Sequence, residues 1–151
     1  KNVTQTAEIA DGWLPLYYSP YRPEVYADQL QAAKPGFEIA ALANFNVTDD
    51  VRAGLFPMKA TLGFYIGGMG VYYHAMFCRY GYEENANLVK KLYDEGDRKK
   101  SAAAVSDDLI DRIANCGPPE YCRDKLAEWA EAGVASALVN LPTGAPFEMP
   151  G

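Results

Sequence analysis

The stretch Phe37 to Val47 is almost continuously apolar, with Glu38 as its one charge. A strand open to water on one face alternates polar and apolar residues; a run like this one belongs to a strand covered on both faces, in a parallel sheet flanked by helices. Parallel pairing in turn requires helical crossovers, and the flanking sequence supplies them. Trp13 to Tyr18 reads as a short buried strand and Ala135 to Leu141 as another, rich in small and branched residues. The first ten residues have the period of a short helix ended by Asp11-Gly12, and Pro23 opens a helix that Lys34-Pro35-Gly36 stops. Thr48-Asp49-Asp50 is an N-cap cluster before a long helical excursion. Within it, Val51 to Ile66 carries Pro57, which either kinks the helix or starts a second piece, and Gly67-Gly68-Met69-Gly70 breaks it. Val71 to Tyr80 and Tyr82 to Tyr93 continue as helices, Asp94 to Ser101 as a charged turn, and a helix capped by Ser106 runs to Cys116-Gly117. Pro118-Pro119 opens the last long helix, which Gly133 closes.

The resulting order is α/β with about three parallel strands. A full eight-stranded barrel takes about 250 residues, so 151 residues supply little more than half of one. We read residues 1–151 as a single domain. Twenty acids against 14 bases, a net charge of -6, argue against a nucleic-acid footprint and against an anionic membrane as partner. Cys78, Cys116 and Cys122 are odd in number and form no CxxC pair, which excludes a disulfide framework and a zinc site. His74 is the single imidazole, so a His-rich metal centre is excluded as well, and the expected metal set is empty. No stretch approaches the roughly 20 apolar residues of a membrane span and no leader pattern opens the sequence, so a reducing, cytoplasmic setting is expected.

The strings TAEIADGWLPLYYSP, FEIA, GFYIGGMG, RYGYEENA and GPPEYCRDKLAEWAEAG occur in this order. Together they resemble the luciferase-like monooxygenase family, and most of all its deazaflavin branch of coenzyme F-420-dependent oxidoreductases. The resemblance runs from Lys1 to about Pro142 and covers only the C-terminal portion of the family's (β/α)8 TIM barrel. It implies that Lys1-Asn2-Val3 starts the helix after strand five, and that Asp11 to Tyr18, Phe37 to Val47 and Ala135 to Leu141 are strands six, seven and eight. It further implies hydride transfer between F-420 and a small organic substrate. Two alternatives stay open: a flavin mononucleotide (FMN) monooxygenase, and a noncatalytic half-barrel that binds or supports. The residues the family credits with chemistry lie mostly on the other half, so no catalytic residue is assigned. The uncovered sheet edge and the many aromatics imply association, either with the missing N-terminal half or with a second copy as a homo-oligomer.

A barrel gathers its site at the C-terminal ends of its strands, which directs attention to the positions after Leu14, Phe45 and Val139. Free backbone N–H groups at a helix start, together with a hydroxyl, make an anion site without Lys or Arg. By the resemblance this edge holds the cofactor's phosphate tail, with Asn2, Val3, Leu16, Tyr17 and Ser19 as the cofactor-binding candidates. The plain structural reading gives Ser19 a turn before Pro20 and Asn2 a helix cap. Gly67 to Gly70 lacks the GxGxxG spacing and reads as a bend that brings Tyr65 and Met69 to a substrate pocket, or as a tight helix crossing. His74 reads as hydrogen-bonded structure before a proton donor, and the carboxylate pairs Glu83-Glu84 and Asp107-Asp108 as helix caps.

Overall fold

In the computed structural model, residues 2–140 are described. Helix α1 (Asn2–Ile9) leads into β1 (Gly12–Trp13), a 3-10 turn over Pro23–Tyr26, α2 (Ala27–Leu30) and the long strand β2 (Glu38–Val47). Helices α3 (Val51–Gly68), α4 (Val71–Arg79), α5 (Glu83–Asp94), α6 (Arg98–Ala104) and α7 (Asp107–Asp111) follow. The last described elements are β3 (Ala114–Gly117), α8 (Pro119–Glu131) and β4 (Ser136–Asn140). Leu141 and Pro142 to Gly144, which the sequence reading included, and Lys1 lie outside the described residues.

Every strand pairing is parallel, and β2 makes all of them. Its Leu42 is bridged to Leu16 and also to Leu138, so β1 and β4 occupy opposite edges of β2. Further up, Asn44 is paired with both Ala114 and Asn140. The faces of β2 differ in the same way along its length. Ala41, Ala43 and Phe45 are buried, whereas Ala40, Leu42, Asn44 and Asn46 are only partly covered. The second face is therefore half open, and next to it Leu14 is 61% exposed.

Several elements differ from the sequence expectation. The strand expected over Trp13 to Tyr18 keeps regular pairing only at Gly12–Trp13; Pro15 has no N–H to give, although its carbonyl still accepts from Leu42, and Leu16 is a single bridge. The helix expected to reach Cys116 stops at Asp111, and Ala114–Gly117 is a strand buried at every position. Asp94 to Ser101 is less turn than expected, because Asp97 accepts from the Lys100 N–H at 3.0 Å and caps α6. Pro57 breaks nothing: α3 runs through it as one helix and ends one residue before Met69, with Gly70 at φ 73°. The expected caps at Asp50 and Ser106 are present, accepting from Ala53 and Leu109.

Helices α3 to α6 form a layer in which α3 and α5 approach closely at Gly67. A Cβ placed there would stand 2.2 Å from Cγ of Tyr93, far inside any non-bonded carbon contact, and Tyr93 is itself pinned between Phe64 and Arg98. Gly67→Ala should therefore cost about 1–3 kcal/mol by overpacking, read as a lower urea midpoint. Stability equal to the parent protein would show that α3 and α5 are not in contact there.

Candidate functional site

A cavity of about 240 Å³ opens at the carboxyl end of β2, between the half-open face of the strand and the underside of α3. Tyr17, Asn44, Asn46, Met58, Thr61 and Ile113 contribute to its walls. What brings α3 over the strand ends is the absence of a side chain at Gly54. A Cβ there would meet Cys116 Sγ, Thr48 Cγ2 and Asn46 Nδ2 at 2.7 to 2.9 Å. The contact is tied by polar bonds: Asn46 Nδ2 donates to the Gly54 carbonyl at 3.1 Å, and the Cys116 thiol to the Val51 carbonyl at 3.7 Å. The cavity is thus lined mainly by apolar groups with a few amides at one end, the usual character of a small-molecule site.

Of the residues the sequence reading nominated, Tyr17 lies in the cavity wall. It is held at φ 56°, unusual for a residue with a Cβ, and its ring packs edge-on against Tyr65 at 5.1 Å and Tyr73 at 6.0 Å. Burial, then the neighbouring Tyr65 and Tyr73, push its phenol up, so it remains a neutral donor. Tyr65 stands behind Tyr17 as a second aromatic layer, while Met69 is 45% exposed and lines none of the cavity. Leu16 is the bridge residue to Leu42. Ser19 is 1% exposed; its N–H donates to the Tyr80 hydroxyl at 3.2 Å, and its own Oγ has no partner. Asn2 is exposed at the start of α1, its carbonyl accepting from Thr6, and Val3 packs on the core. Asn44 and Asn46 were missed. Their signal was legible: two amides at i and i+2, on one face of an otherwise apolar strand, near its carboxyl end.

One hydroxyl sets the shape of the loop after β1. Tyr80, 2% exposed, donates to the Tyr17 carbonyl at 3.2 Å while accepting from the Ser19 N–H, with Tyr26 Oη at 3.3 Å. Tyr80→Phe would leave two backbone groups buried and unpaired, and should cost about 1–3 kcal/mol in urea unfolding. A change under a few tenths would show that water reaches this loop.

A second cavity, about 470 Å³, adjoins the first and shares Ile110 and Ala114 with it. Its rim holds a polar network: Lys125 Nζ lies 3.0 Å from Asp111, 3.4 Å from Glu128 and 3.3 Å from the Tyr21 hydroxyl, and Tyr121 donates to Asp111. Tyr82 donates in the same way to Asp108. Burial first, then the carboxylate each one faces, pushes Tyr82 and Tyr121 up to about 12. The folded protein holds these protons more tightly than the unfolded chain, so the stability they give is complete below the ordinary tyrosine value near 10 and is lost as pH rises through about 12. The double variant Tyr82→Phe, Tyr121→Phe should flatten the alkaline fall in unfolding free energy; an unchanged slope would contradict the assignment. Among the described residues no group of His, Cys, Asp and Glu is placed to hold a metal, and no helix is long and apolar enough to cross a membrane.

Parallel strands crossed over by helices, with a cavity outside their carboxyl ends, place the chain among α/β proteins of the kind that includes the (β/α) barrels. Within that class the chain belongs to the luciferase-like monooxygenase family, whose profile matches residues 1–136. It is 37% identical, over 93% of its own length, to a Mycobacterium tuberculosis protein that bears the name coenzyme F-420-dependent oxidoreductase, and it covers 44% of that protein. It is 26% identical to 5,10-methylenetetrahydromethanopterin reductase of Archaeoglobus fulgidus, covering 95% of this chain and 46% of the relative. The chain therefore spans less than half the length of these curated relatives. Its fold matches that of the coenzyme F-420-dependent tetrahydromethanopterin reductase from Methanopyrus kandleri with a TM-score of 0.66 and 22% identity, over 91% of this chain and 41% of the other.

Proposed function

We propose that this chain is the C-terminal half-barrel of a coenzyme F-420-dependent oxidoreductase, which transfers a hydride between the deazaflavin and a small organic substrate. The observation that carries the reading is the cavity at the carboxyl end of β2, walled by Tyr17, Asn44 and Asn46 and roofed by α3. The names of the relatives supply the cofactor class. The residues present fit the group: the buried Ser19 Oγ in the loop after β1 has no partner, and a helix start such as the first turn of α1 offers backbone N–H groups to an anion. Ser19, Asn2 and Val3 would hold the anionic tail, with Leu16 and Tyr17 beside the ring. Tyr65 keeps the Tyr17 ring in place, and Met69, the other residue nominated for the substrate pocket, stands exposed outside this cavity. When bound, the deazaflavin supplies the hydride chemistry itself. The chain's own part is to bind, orient and exclude water, with Tyr17 a neutral phenol and the amides of Asn44 and Asn46 as uncharged polar contacts.

The half-open face of β2 and the outer edges of β1 and β4, which pair with no strand among the described residues, are covered, in this reading, by the other strands of a barrel of the relatives' length. The three unpaired thiols suit a reducing, cytoplasmic compartment. Fluorescence titration of the assembled protein with F-420 and with FMN tests the proposal. F-420 should bind and FMN should bind at least tenfold more weakly. Thr61→Trp, at an exposed position of the cavity wall, should weaken F-420 binding at least tenfold without loss of stability. Preference for FMN, or binding unaffected by Thr61→Trp, would overturn it.

A further inference from the structure

Away from the cavity, α4 and α5 bring together a thiol, an imidazole and an amide. Cys78 Sγ lies 3.8 Å from Nδ1 of His74, one helical turn earlier, and Nε2 of His74 lies 2.9 Å from Oδ1 of Asn87 on α5. A carboxamide oxygen has lone pairs only, so Nε2 carries the ring proton and Nδ1 turns its lone pair toward the thiol. None of the three residues lines the cavity of the proposed cofactor site. The other two thiols are placed differently: Cys116 and Cys122 are buried and donate to the Val51 and Gly117 carbonyls. Cys78 alone is partly open to solvent, and its acceptor is a base.

The surroundings define what could reach it. Burial and the Glu83 carboxylate push the Cys78 thiol up, so at neutral pH it is protonated and needs a base at the moment it attacks. Gly81, whose N–H is bonded to the Cys78 carbonyl at 2.9 Å, begins an open recess of about 610 Å³ lined by Glu83, Glu84, Asn85 and Leu88. Arg22 reaches the Gly81 end of that recess, but the charge that acts on Cys78 is the Glu83 carboxylate, which repels anionic reagents and attracts cations.

We propose that Cys78 is an S-thiolation site for small amine-bearing disulfides, with His74 as the base and Asn87 as the residue that orients it. Sγ attacks one sulfur of the reagent, forming a mixed disulfide, while the reagent's own S–S bond breaks and its electron pair leaves with the departing sulfur. The thiol proton passes to Nδ1 and from there to the departing thiolate. Cys78 is oxidised, half of the reagent is reduced to a free thiol, and the imidazole returns to its neutral form.

The test uses the full chain, treated with cystamine or with oxidised glutathione and followed by intact mass and peptide mapping. The reference is an unstructured peptide spanning residues 75–82. One adduct should form on the folded protein, on Cys78. Its preference for cystamine over oxidised glutathione should exceed that of the peptide at least fivefold. His74→Gln should slow the reaction about tenfold or more, as loss of a positioned base does, and Asn87→Ala several-fold. The sign separates chemistry from structure, because loosening the helix pair would speed modification. First modification at Cys116 or Cys122, an unchanged or faster rate in either variant, or the peptide's own charge preference would each overturn the proposal.

Discussion

The structure depends on β2 having both of its edges taken. β2 is paired parallel with β1, β3 and β4, and each parallel pairing calls for a crossover connection, which this chain builds from helices. The alternation along β2 does the rest. Ala41 and Ala43 are small and wholly buried, which lets the core behind the sheet close tightly around Trp129 and Phe77. The opposite face, from Ala40 to Asn46, receives α3 only at its upper end. The cavity lies where that partial cover begins.

The same contacts that stabilise the upper end also shape the cavity. Gly54 allows α3 to touch the strand ends, and Asn46 and Cys116 tie it there. Tyr80, reaching from α4, fixes the loop that presents Tyr17 and leaves Ser19 buried with a spare hydroxyl. The long helical excursion is therefore a support for the mouth of the half-barrel, since α3 roofs the cavity and α4 positions its aromatic wall. Burying an unpaired hydroxyl costs free energy, and a bound polar ligand is one way of recovering it.

Much of this was legible in the sequence. The apolar run at Phe37 to Val47 identified the central strand to within a residue, and the caps at Asp50 and Ser106 marked real helix starts. The strand Ala114–Gly117 was not legible, because four residues with an asparagine and a closing glycine have no period of their own; only pairing with Asn44 to Val47 makes them extended. Pro57 misled in another way: within a helix packed on a sheet and on four other helices, tertiary contacts outweigh one missing hydrogen bond. Among the nominated residues, Tyr17 followed from its place after a strand, whereas Asn44 and Asn46 were hidden in a segment read for its hydrophobicity. The Tyr80 anchor joins residues 61 to 63 positions apart and has no local signal.

The central claim is that ligand binding takes place where β2 ends beneath α3. Amide hydrogen exchange, read residue by residue with and without F-420, tests it most directly. The account predicts added protection concentrated at residues 16–19, 44–47 and 57–62, with the α5–α6 pair unchanged. Protection confined to α5 and α6, or no change at the end of β2 under saturating F-420, would contradict it.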